Sequence, residues 1–165
     1  MGVWALFLGF AFLQVGNGLQ RILLPIRAES EGFGATAMGL VMASHFAGYL
    51  VGAKGIMRAL SSVGHVRTFA ALASLASTAV LVNAVVVMPL SWAAVYFISG
   101  FCSAGIFVVL ESWLNDRATN ENRGRILSMY MVIMMGGTAV GQLLINVGAP
   151  TGFELFVFSS VLISA

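Results

Sequence analysis

The chain has 165 residues, 59% of them hydrophobic and only 8% charged, with a net charge of +2. An ordinary soluble domain carries roughly 25% charged residues, so too little polar surface exists to cover this much apolar mass, and a soluble globular fold is excluded. A nucleic-acid reader is excluded too, because the Lys and Arg gather mostly in two short segments between apolar runs, 54–67 and 117–125, a pattern that reports topology.

Six apolar runs, about 3–24, 37–53, 68–88, 91–110, 126–147 and 152–165, predict an all-α integral membrane protein built as a six-helix bundle. Twenty helical residues cover a hydrocarbon core of roughly 30 Å, and four of the runs are that long. The second is at the lower limit. The sixth is expected to be incomplete, reaching about 21 Å, which predicts a fragment or a truncated reading frame. The first run has no basic region before it and is too long for a signal peptide, so it reads as a retained helix.

On the first run Gln14, Asn17 and Arg21 stand at i, i+3 and i+7, one polar face on a helix otherwise apolar. A cavity between helices would supply that face with a partner: the amides could bind a solute, while Arg21 attracts an anion or sets a gate charge. The alternative puts Arg21 at the outer interface, snorkelling to headgroups. In the second run His45 is the strongly titratable group near mid-membrane, which suits a coupling proton or, equally, a buried imidazole bonded to a facing carbonyl. Ser44, Gly48, Gly52 and Gly55 line one side of the same helix and predict close approach of another backbone.

Cys102, in the fourth run, is the lone cysteine and reads as a small packing residue. The fifth run repeats the glycine spacing at Gly137 and Gly141, beside a polar stripe of Thr138, Gln142 and Asn146 that should face protein or a wet cavity. If each run crosses once, the segments 54–67 and 117–125 share a side with the N-terminus, and that side should be the cytoplasm. There Glu111 and Asp116 could pair with Arg58 and Arg67 and latch the helix ends in one state. Arg123 and Arg125 at a helix start oppose its dipole and so are expected to serve another partner. The competing reading is a set of arginines that bind headgroups and fix topology.

At these residues the chain resembles the major facilitator superfamily over its whole length, as the N-terminal half of that fold. Gly55 and Gly64, followed by Arg67, look like the superfamily's loop between helices two and three. Arg123-Gly124-Arg125 looks like its loop between helices four and five. The stretch from Gly100 to Asn115 is similar to a YcaD-like bacterial subgroup. The resemblance implies alternating access between two six-helix halves, of which one is here. Two positions depart from the pattern: no acidic residue occurs from Ala35 to Leu110, so Glu111 would have to replace the loop's Asp, and Tyr96 stands where an Arg is often found.

The expected function is therefore a secondary active transporter of a small solute in the bacterial inner membrane, N-terminus cytoplasmic. Its expected partners are the lipid bilayer, the solute, a candidate coupling proton and the missing C-terminal six-helix half, with no nucleic acid. The substrate-pathway candidates are Gln14, Asn17, Arg21, His45, Thr138 and Gln142. The cytoplasmic-gate candidates are Gly55, Gly64, Arg67, Glu111, Asp116, Arg123 and Arg125. No cofactor, metal or enzymatic activity is expected, since the two His are far apart and no phosphate-binding loop occurs. The competing expectation is a non-transporting subunit or scaffold that packs against a partner through Gly48, Gly52, Gly137 and Gly141, or an inactive truncated product.

Overall fold

The computed structural model describes residues 3–149 and 152–165. Among them are six α-helices and no strand: α1 Val3–Ser30, α2 Ala35–Val63, α3 His65–Val85, α4 Pro89–Arg117, α5 Arg123–Leu143 and α6 Phe153–Ser164, with a 3₁₀ turn Leu144–Val147 closing α5. Five spans are long and apolar enough to cross a membrane, and α6 is the short one. The helices overrun the apolar stretches that announce them. Hydrophobicity marks only the part in hydrocarbon, whereas the backbone ladder continues past it. Thus α1 runs through Pro25 to Ser30, carrying an Arg27–Glu31 ion pair of 2.7 Å on its last turn. Lys54 and Arg58 are likewise exposed residues of α2 itself, not of a loop.

A single residue, Gly64, joins α2 to α3 at φ +89°, in the left-handed region that a Cβ disfavours. Its neighbour Thr68 returns a hydroxyl to the Gly64 carbonyl at 2.8 Å. The turn can be this tight because glycine occupies it.

Packing follows the small residues. α2 lies along α4 and α5 along α1, while α3 joins α4 to α6, and α6 closes back on α1. Gly48 and Gly52 press against the Phe97 and Phe101 carbonyls of α4, and Gly100 of α4 presses against the His45 carbonyl. In the other pair Gly141 presses against the Val15 carbonyl of α1, and Gly18 of α1 against the Thr138 carbonyl. Contacts climb both helices of a pair in the same direction, so each pair is parallel. Such closeness is what glycine allows where lipid gives helices little hydrophobic reason to associate.

The two pairs are the same construction. One register shift carries Val15 and Gly18 onto Phe97 and Gly100, and another carries Gly141 and Thr138 onto Gly48 and His45. Under this exchange α1 becomes α4, α2 becomes α5 and α3 becomes α6, and the packings just described map onto one another. Residue-by-residue similarity between the halves is not legible in the sequence; the repeat lies in where backbones touch.

Burial is uneven. Half or more of the apolar window is buried in α1 and α4, against 17% in α2 and 11% in α5. The outer faces of these last two present Leu40, Leu50, Met57, Val132, Met135 and Leu143, side chains for lipid or further protein to cover.

Candidate functional site

The exchange that maps α1 onto α4 also places the polar face of the first onto a polar face of the second. Gln14, Asn17 and Arg21 fall on Tyr96, Ser99 and Ser103, which have the same i, i+3, i+7 spacing. Between those two faces lies a cavity of about 290 Å³, lined by Asn17, Gln20 and Arg21 of α1, by Tyr96, Ser99 and Ser103 of α4, and by His45, Met42 and Phe46 of α2. Ala76 of α3 forms part of its wall.

The polar atoms here are not used up by the protein. Among the described residues, Gln20 Nε2, Ser99 Oγ and His45 Nδ1 are buried without a well-formed hydrogen bond, and all three belong to this lining. Gln20 is 7% exposed and Ser99 8%. The His45 ring packs beside Tyr96, centroids 5.5 Å apart, and also approaches the Tyr96 backbone. Buried polar groups are normally paired, and orphans that converge on one space mark the place where something polar is meant to sit.

Of the pathway candidates, the fold brings Asn17, Arg21 and His45 to one cavity. Gln14, 3% exposed, stands behind it: its amide donates to the Met134 carbonyl of α5 at 3.4 Å and accepts from Asn17 at 3.5 Å, long bonds that tie the polar face to α5. Thr138 donates to Met134 of its own helix at 2.8 Å, and Asn146 to the Leu143 carbonyl. Gln142 lies exposed on α5, and neither it nor Thr138 lines this cavity. Sequence reasoning missed Gln20, Tyr96, Ser99 and Ser103. The signal was present in the spacing of the last three, but serines and a tyrosine among apolar neighbours carry less weight than an amide or a guanidinium.

At the other end of the bundle the gate candidates fall into different company from that expected. Arg67 is exposed at the start of α3 and, like Arg58, makes no ion pair with Glu111 or Asp116 among the described residues. The acids have other partners. Asp116 faces His65 Nε2 at 3.8 Å, and Ser112 Oγ lies 3.1 Å from the same nitrogen. Glu111 accepts a bond of 3.4 Å from the Tyr130 hydroxyl. The two acids thus meet an imidazole and a phenol rather than Arg58 and Arg67, because α3 begins at His65 and puts that ring, not Arg67, against α4. Arg117 instead lies over the Trp113 ring, 5.6 Å from its centre. Arg123 and Arg125 open α5 and are exposed, and Gly55 has only Phe101 near it.

Ser112, His65 and Asp116 have the composition of a hydrolytic triad without its geometry. A relay needs the hydroxyl and the carboxylate on opposite ring nitrogens, and here both approach Nε2. No cluster of His, Cys, Asp or Glu suited to a metal occurs among the described residues.

Fold and site together define a polytopic α-helical membrane bundle with an under-bonded polar cavity between its helices. The chain belongs to the MFS transporter family: residues 13–162 match the family model described as uncharacterised MFS-type transporter YbfB. It is 34% identical over 145 residues to the uncharacterized MFS-type transporter YcaD of Salmonella typhimurium, and 34% identical over 142 residues to that of Salmonella arizonae. These alignments cover 87% and 86% of this chain but 38% and 37% of the relatives' length. No solved structure gives a significant match.

Proposed function

We propose that this chain forms the N-terminal six-helix half of a secondary transporter, which moves a small solute by alternating access through the cavity between α1, α2 and α4. The observation that carries this reading is the convergence of unpartnered polar atoms from Gln20, His45 and Ser99 on one space lined by helices from both three-helix repeats. A site at the repeat interface, near the middle of the helices, is where an alternating-access carrier exposes its solute to each side in turn.

A second half supplies the opposite wall. The sparse burial of α2 and α5 leaves their outer faces free for it, and the relatives are more than twice as long as the matched segment. In this reading His45 is the cavity's titratable group and the one at which a coupling proton would be held. The His65–Asp116 and Tyr130–Glu111 contacts serve as cytoplasmic gate elements, in a bacterial inner membrane with the N-terminus inside. The scaffold reading is disfavoured: Gly48, Gly52, Gly137 and Gly141, the surface it needs, are already occupied by α4 and α1.

The test is cysteine substitution at Asn17, His45 and Ser99, one at a time in the complete transporter with Cys102 replaced by Ala, followed by labelling with a membrane-impermeant thiol reagent. Labelling is expected at these positions and should slow when the protein is locked in a state closed to the reagent. A folded protein that stays unlabelled at all three would remove the cavity from the pathway.

A further inference from the structure

We propose that the cavity is an anion site, built for a small organic monoanion whose carboxylate meets Arg21 and the Gln20 amide while its apolar body rests on Met42 and Phe46; this rests on the transporter reading above.

Arg21 brings the cavity's one permanent charge, and none of the lining residues is acidic. Among the described residues it forms no ion pair, whereas Arg27, two turns further along the same helix, is held by Glu31. Arg21 is exposed and stands one helical turn before the end of the apolar run 3–24, where it lines the same space as Asn17. An uncompensated guanidinium at the wall of a partly enclosed cavity creates a positive potential that a mobile anion can satisfy.

The unpaired groups sharpen the class. An amide nitrogen can only donate, so the buried Gln20 Nε2 asks for an acceptor, and the Ser99 hydroxyl can donate as well. A carboxylate offers several acceptor sites at once and takes charge-assisted bonds from a guanidinium. One positive charge balances one negative charge, which disfavours dicarboxylates and phosphate dianions. Met42, Phe46 and the Tyr96 ring add apolar surface to the same lining, and about 290 Å³ suits a body no larger than a single ring.

The test places a cysteine at the wall by Ser103→Cys, in the complete transporter lacking Cys102. Labelling rates are compared for two methanethiosulfonates of similar size, the anionic sulfonatoethyl and the cationic trimethylammonioethyl reagent, each normalised to its rate with a free thiol. The normalised ratio is expected to favour the anion by at least about fivefold, as one nearby charge would produce at intermediate dielectric. Arg21→Lys should keep that preference, and Arg21→Gln should abolish it. Benzoate should protect the position at concentrations where its neutral isostere benzamide does not. A ratio unchanged by Arg21→Gln, or equal protection by benzoate and benzamide, overturns the anion site while labelling itself still supports the pathway. If Arg21→Gln does not fold, the ratio and the benzoate comparison in the parent decide alone. No labelling by either reagent would instead strike the transporter reading.

Discussion

Ser77 of α3 and Ser160 of α6 bond each other reciprocally: their hydroxyls are 2.7 Å apart, and each also reaches the other's backbone carbonyl, at 3.0 and 3.2 Å. Since α3 and α6 exchange under the repeat, this reciprocal pair joins one three-helix repeat to the other. Both residues are buried, and in hydrocarbon their hydroxyls have no water to turn to.

Ser77→Ala or Ser160→Ala is therefore expected to cost about 0.5 to 1.5 kcal/mol each, in the range of interhelical bonds in membranes. The double alanine variant should cost less than the two singles together, since the bond between the two hydroxyls is already lost in either single variant. Reversible unfolding in detergent checks this; strict additivity would mean that the two hydroxyls do not interact.

Glycine substitutions separate contact from open space. A Cβ at Gly48 would fall on the Phe97 carbonyl and one at Gly141 on the Val15 carbonyl, both backbone atoms that cannot move aside. Gly48→Ala and Gly141→Ala should each destabilise by about 1 to 3 kcal/mol or block folding. Gly136→Ala, with nothing within 4 Å, should be tolerated, as should Gly55→Ala, whose nearest atom is a Phe101 ring carbon at 3.7 Å. Thermal stability of the four purified variants is the measurement.

The same glycines show what the sequence could and could not disclose. Gly48-x-x-x-Gly52 and Gly137-x-x-x-Gly141 announced close helix contacts, and the structure uses all four for that purpose, but spacing alone does not say which helix each will meet. The polar face of α1 was legible because amides and a guanidinium stand out in an apolar run. Its counterpart Tyr96, Ser99, Ser103 was not, since these side chains pass for packing residues until the register of α4 against α2 is known. The arginine latch was expected because charges of opposite sign were counted without their helical phase. Once α3 starts immediately after Gly64, phase assigns Asp116 to His65.

Asn83 of α3 is wholly buried, and neither its amide oxygen nor its amide nitrogen has a partner. It lies outside the cavity lining, so no solute is at hand to satisfy it. An unpaired buried amide costs stability that an apolar side chain of similar volume does not. Asn83→Leu should raise the midpoint of thermal unfolding, by an increment corresponding to about 1 to 3 kcal/mol, and leave cysteine labelling at Asn17 unchanged. A lower midpoint would indicate that the amide is bonded in the membrane, by water or by another chain.

Tyr130 of α5 joins three helices near the start of α1. Its ring stacks on Phe10 of α1, centroids 5.3 Å apart and planes 8° from parallel, while its hydroxyl reaches Glu111 of α4. The two contacts have different consequences. The stack is packing and should hold the bundle together in every state; Tyr130→Ala, which removes it, is expected to cost about 3 kcal/mol. The hydroxyl bond is long and ends on an exposed carboxylate, so Tyr130→Phe should cost less than about 1 kcal/mol. If that bond belongs to the closed cytoplasmic gate, however, its loss will favour the open state. Labelling of an Asn17→Cys reporter from the cytoplasmic side should then speed up in Tyr130→Phe, and in Glu111→Gln to a similar degree, with the unfolding midpoint nearly unchanged. Equal labelling rates in parent and variants would leave Tyr130 as packing alone and remove Glu111 from the gate.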